Sequence, residues 1–157
     1  GKCGQERPDA SGLTSTTSKE RRERPMTVSE AITRADILRG GNNCSEEQKL
    51  QWLSALDQQI NEQLFKRHEN CLVYRPEQLE YDAESEAVTD LKADRLFEAM
   101  YVHWLCAQID FANGDIARYN NERILFESWY QKLADFINSR YLPKKEATAI
   151  RLAGWDE

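Results

Sequence analysis

The sequence predicts an all-α fold: a small bundle of about four helices around a long antiparallel helical hairpin, with a long acidic loop between helices 2 and 3. Three observations predict it. Residues 96–141 read as two long helices joined at Asn113-Gly114-Asp115, and the first is apolar almost all round. Such a helix must be covered on every side, which makes it the centre of a bundle. Two amphipathic stretches precede it, each opened by capping-box spacing. Finally, 157 residues suit one domain, able to bury roughly two-thirds of its unfolded surface.

Residues 1–25 are rich in Ser, Thr, Gly, Pro and Arg and hold a single large aliphatic, Leu13. They cannot bury enough apolar surface to offset ordering entropy, and read as a polar, flexible extension. Within them Lys19-Glu20-Arg21-Arg22-Glu23-Arg24 is either a phosphate-binding arm or a solvated mixed-charge stretch, and the interleaved glutamates favour the second. Met26 begins a different, ordered pattern and reads as a natural start with an extension set in front. The bundle domain is therefore expected over 26–141, with a tail at 142–157.

Thr27-Val28-Ser29-Glu30 signals the first helix; Val28, Ile32, Ala35 and Leu38 follow at helical spacing, and Gly40-Gly41 ends it. The second opens at Ser45, with Gln48 three residues on, and is expected to run to about Arg67. Its stripe is Leu50, Leu53, Ile60 and Leu64, with Trp52 and Leu56 beside it. Residues 69–92 break the pattern: seven acidic groups stand against two basic ones, and Pro76 interrupts any helix. The expectation is a long loop, either a solvated excursion or a binding element, with Leu72-Val73-Tyr74 and Ala87-Val88 available for a small hairpin.

The central helix is expected from near Ala93. Asn113-Gly114 supplies the left-handed residue that closes it, while Asp110 and Asp115 read as helix-end and capping groups. In the last helix Ile116, Tyr119, Phe126, Tyr130, Leu133 and Ile137 form a packing seam. Arg123 falls on that seam, where it either pairs with a buried acid or marks where the seam meets solvent or another subunit. Ile124, Leu125, Trp129 and Phe136 lie off it, more apolar surface than a two-helix contact uses. Asn120-Asn121 are weak helix formers that either bond across an interface or sit in solvent. Pro143 stops the helix, and the tail carries Trp155, which either folds back or anchors a partner.

The formal charge is −6, and residues 26–157 alone carry −8, which argues against general affinity for duplex DNA. No stretch has the roughly 20 apolar residues of a membrane span, and residues 1–25 lack the apolar region of a secretory signal. Cys3, Cys44, Cys71 and Cys106 have no framework spacing and read as free thiols in a reducing compartment. His68 with Cys71, and His103 with Cys106, supply the ligand types of a zinc site, although Cys106 sits in apolar company where cysteine acts as a small hydrophobe. Paired Glu-x-x-His motifs, a phosphate loop and a nucleophile elbow are missing from the sequence. The reading is of a non-enzyme without cofactors, whose function lies in what its surface binds. The interface candidates are Arg123, Ile124, Trp129, Phe136 and Trp155.

Trp52-Leu53-Ser54-Ala55-Leu56-Asp57 and, more strongly, Ala107-Gln108-Ile109-Asp110 followed by Asn113-Gly114-Asp115-Ile116-Ala117-Arg118-Tyr119-Asn120-Asn121, Phe126 and Tyr130 give the chain a family likeness. Over residues 26–141 it resembles the head–tail connector (adaptor, or head-completion) proteins of tailed bacteriophages. That family often opens its third helix with a proline-tyrosine-acid sequence. This chain has Leu96-Phe97-Glu98 there, so an earlier helix start is expected. The resemblance implies a virion neck protein, assembled in the host cytoplasm: a homo-oligomeric ring, commonly of twelve copies, docked on the portal and leading to the next neck or tail-completion protein. Phage DNA would be only passing cargo, and no membrane is involved. The competing reading is a helical bacterial adaptor or regulatory module, binding protein or nucleic acid through its N-terminal arm.

Overall fold

The computed structural model describes residues 24–71 and 80–144. Four α-helices carry the fold: α1 (Val28–Leu38), α2 (Glu46–Gln63), α3 (Glu98–Ala112) and α4 (Ile116–Arg140), with 3-10 turns at Phe65–Arg67 and Arg95–Phe97. The expected helical bundle around a hairpin is what forms, α3 and α4 making its most extensive contact. The extension over residues 1–23, the Leu72-Val73-Tyr74 half of the hairpin and Trp155 lie outside the described residues.

The local signals act as capping chemistry requires. Glu30 N donates to Thr27 Oγ1 at 3.1 Å and Thr27 N to Glu30 Oε2 at 3.4 Å. Ser45 and Gln48 make the same reciprocal pair, at 3.0 and 3.1 Å. These bonds satisfy first-turn N–H groups that the helix cannot. Gly114 takes φ +77° between α3 and α4, and Asp115 Oδ1 accepts from Arg118 N at 3.1 Å. The hairpin turn thus rests on a left-handed glycine followed by a cap.

The core is built by α2 (Leu53, Leu56, Ile60) and α3 (Met100, Tyr101, Leu105, Ile109), covered by Val28, Ala31 and Ala35 of α1 and by Phe126, Leu133 and Ile137 of α4. Aromatic edges join the layers: Phe97 meets Phe136 at 5.2 Å and Trp104 meets Phe126 at 5.0 Å between centroids. Trp104 Nε1 donates to Trp52 O at 2.8 Å, tying α3 to α2.

Several expectations are corrected. The central helix starts at Glu98, not near Ala93. The preceding N–H groups are taken elsewhere, Lys92 N by Asp57 Oδ2, Ala93 N by the Tyr101 hydroxyl and Leu96 N by Asp94 Oδ1. The second α-helix ends at Gln63, and the stretch to Arg67 tightens into a 3-10 turn. Residues 80–93 form a loop anchored at both ends, where Tyr81, Leu91 and Ala93 are buried, while residues 82–84 and 87–88 between them are exposed. The loop pairs with residues 26–29: Leu91 N donates to Met26 O, Val28 N to Thr89 O and Ser29 N to Glu86 O. The helix α3 is not covered all round, because Phe111 at its end is 59% exposed.

Candidate functional site

At the centre of the molecule lies a polar knot that the sequence reading missed. Asp57 of α2 is fully buried and accepts from the Tyr101 hydroxyl at 2.6 Å, from the Tyr81 hydroxyl, and from Lys92 N at 3.1 Å. Burial raises the Asp57 carboxyl above the ordinary carboxylate range, and the two tyrosine bonds and Lys92 pull it part of the way back. The same burial, beside the Asp57 charge, pushes both phenols up. A carboxylate with no accessible surface cannot meet a substrate, so this group fastens residues 80–93 to the bundle. One signal was present: Asp57 stands on the apolar stripe of α2, four residues after Leu53 and three before Ile60. An acid at a core position needs buried donors.

A second cluster holds α1 to the hairpin. Arg39 grips Asp110 through Nε at 2.8 Å and Nη2 at 3.1 Å, and Nη2 reaches Glu122 at 2.8 Å. The other Glu122 oxygen meets His103 Nδ1 at 2.7 Å. The bidentate bond to Asp110 pushes the Arg39 guanidinium further up, so it stays charged. Asp110 stands in the last turn of α3, as expected of a helix-end group, and is also a buried carboxylate of this cluster, while Asp115 caps α4.

The four zinc candidates do not converge. His68 is held between Leu64 O and Asn138 Oδ1, whereas His103 is held by Glu122. Asn138 and Glu122 are sixteen positions apart on α4, about 24 Å along the helix. No group of three or more His, Cys, Asp or Glu suited to a metal occurs among the described residues. Burial raises the Cys106 thiol to about 11, which leaves it inert as a nucleophile.

The interface candidates separate by environment. Ile124 and Leu125 are exposed, and Trp129 is half-buried with Lys132 stacked 4.3 Å from its ring. Phe136 is occupied by Phe97 on one side and by the Arg140 guanidinium at 4.5 Å. Arg123 meets no buried acid; it lies over Trp104 and Phe126 and pairs with the exposed Glu127 at 3.1 Å, at the rim of the seam. Asn120 and Asn121 are solvent-facing.

Two further surface features were not anticipated. Arg34, Ile37 and Leu38 of α1 with Ala99, Val102 and His103 of α3 line a mostly apolar groove of about 310 Å³. Beside it runs a ladder of ion pairs, Arg24–Glu30–Arg95–Glu98–Arg34, with steps of 3.8, 3.3, 3.2 and 3.2 Å: three guanidiniums on two carboxylates. Leu38, at the end of the apolar spacing of α1, is not in the core: it is 57% exposed and opens onto the groove. Val88 tips a turn over residues 83–88, flanked by acids, and at 79% is more exposed than Ile37 at 75%. No family model, curated protein or solved structure matches the chain.

Proposed function

We propose that this chain is a non-enzymatic structural subunit, a head–tail connector of a tailed-phage neck, which forms a ring with copies of itself on the portal and leads to the next neck or tail-completion protein. One observation carries the self-association: a well-filled core coexists with Ile37, Leu38, Val88, Phe111, Ile124 and Leu125 left outside. Of these, Ile37 and Leu38 are joined with Val102 in one apolar groove, and a contiguous apolar surface of this kind suits contact with a partner. Asp57 with Tyr81 and Tyr101, and Arg39 with Asp110 and Glu122, are bonded to one another in holding the fold together, which supports a structural reading of both clusters. The phage assignment itself rests on the residue pattern at 107–121, which forms the hairpin turn. An acidic body also suits DNA that must pass without being held.

The test is light scattering and electron microscopy of the purified chain, alone and with portal protein. Rings, alone or seated on portal, are expected. A strict monomer without affinity for portal overturns the reading.

A further inference from the structure

Resting on the self-association just proposed, we infer that the groove between α1 and α3 receives the acidic 83–88 turn of the next copy, in a head-to-tail contact centred on Val88 and Ile37. These are the two most exposed large aliphatic residues described, and they sit at opposite ends of α1. The turn hangs on the first turn of that helix, where Ser29 N bonds to Glu86 O at 3.1 Å, while Ile37 and Leu38 end it. The eight helical steps from Ser29 to Ile37 span about 12 Å, so a subunit cannot seat its own turn in its own groove.

Charge matches the two surfaces. Residues 80–90 hold Glu80, Asp82, Glu84, Glu86 and Asp90 and no Lys or Arg. The ion-pair ladder that ends at the groove has one guanidinium in excess, and its last member, Arg34, has a side chain 45% exposed. An apolar centre rimmed by opposite charges sets register as well as attraction. The turn is also ordered in advance: Asp82 Oδ1 accepts from Ser85 N at 2.8 Å and from its hydroxyl at 2.7 Å, and Ser85 O accepts from Val88 N and Thr89 N at 3.0 Å. Little conformational freedom remains to be lost on docking. A contact that uses different patches on its two sides repeats from copy to copy and closes into a ring when the rotation allows.

The experiment measures assembly of wild type, Ile37→Asp, Val88→Asp and an equimolar mixture of the two variants, by analytical ultracentrifugation, with circular dichroism and thermal melting confirming the fold. Both substitutions are at exposed positions. Each variant alone should assemble only at roughly tenfold or higher concentration. The mixture has one intact groove and one intact turn per pair, so it should stop at dimers. If wild type assembles and either variant does so equally well, or if the mixture forms rings or stays monomeric, this contact is wrong while the ring reading stands. A wild type that stays monomeric at every concentration overturns this contact, and overturns the ring reading as well when the chain also fails to bind portal.

Discussion

The Tyr101 hydroxyl donates to Asp57 Oδ1 at 2.6 Å, and neither residue has any surface exposed to solvent. The same hydroxyl accepts from Ala93 N at 2.8 Å, while the second Asp57 oxygen takes Tyr81 and Lys92 N. A single carboxylate therefore ties α2, α3 and the segment leading into α3, and does so where water cannot compete.

Replacing Tyr101 by Phe removes a donor from Asp57 and an acceptor from Ala93 N in one step. The expected loss is about 1–3 kcal/mol, read from urea denaturation. Asp57→Ala orphans two phenols and a backbone N–H and is expected to cost more than about 3 kcal/mol. Tyr81→Phe should instead loosen residues 80–93 selectively, so limited proteolysis should cut there first. Equal cutting in wild type and Tyr81→Phe would contradict this anchoring.

The pH dependence has a definite sign. Burial raises the Asp57 carboxyl above its ordinary value of 3.8, so the folded chain holds that proton more tightly than the unfolded chain. The associated stabilisation is complete at acid pH and is lost as pH climbs from 3.8 through the raised value. Asp57→Asn lacks this titration. The stability of wild type minus that of Asp57→Asn should therefore fall as pH rises across this window, measured by denaturation at stepped pH. A difference that is flat, or that grows, would show that the carboxyl is not held above its usual range.

Much of the fold was legible because its signals are local. Thr27 with Glu30, Ser45 with Gln48, and Gly114 with Asp115 set helix ends through bonds within four residues. What stayed hidden depends on partners far along the chain. Asp57 and Tyr101 are 44 residues apart, and Arg39 and Asp110 are 71. The long acidic loop is legible, but not its anchors: Tyr81 is held by Ser54 and Asp57 of the second helix, and Leu91 by Met26, partners far along the chain. Ile37 and Leu38 fell at or near apolar helix spacing, yet nothing in a periodicity says that cover runs out at the end of α1.

Arg39 provides the second measurable anchor. Its side chain is 16% exposed and that of Asp110 only 3%, so Arg39→Ala strands a buried carboxylate. Breaking such a pair costs about 3–5 kcal/mol, or roughly 10 °C in Tm for a chain of this size. Arg39→Lys keeps the charge but not the fork, and should recover only part of the loss. Glu122→Gln should be milder than either Arg39 variant, since its amide still meets Arg39 and His103. Calorimetric melting of the three variants checks the order, and full recovery by lysine would contradict the bidentate grip.

Two of the turn glycines around the Arg39 cluster, Gly114 and Gly40, make opposite predictions on the same substitution. Gly114 has φ +77°, and a Cβ there would touch nothing within 4 Å, so only backbone conformation resists a side chain. Gly114→Ala should therefore cost about 1–2 kcal/mol, the penalty of a left-handed L-residue. At Gly40 φ is not in that region, and a Cβ would lie 3.8 Å from Asp36 O, an ordinary contact. Gly40→Ala should leave stability unchanged or raise it by about 0.4–1 kcal/mol, by restricting the unfolded chain. Thermal melts of both variants under identical conditions decide it. If Gly114→Ala proved as stable as Gly40→Ala, the hairpin turn would not depend on its left-handed residue.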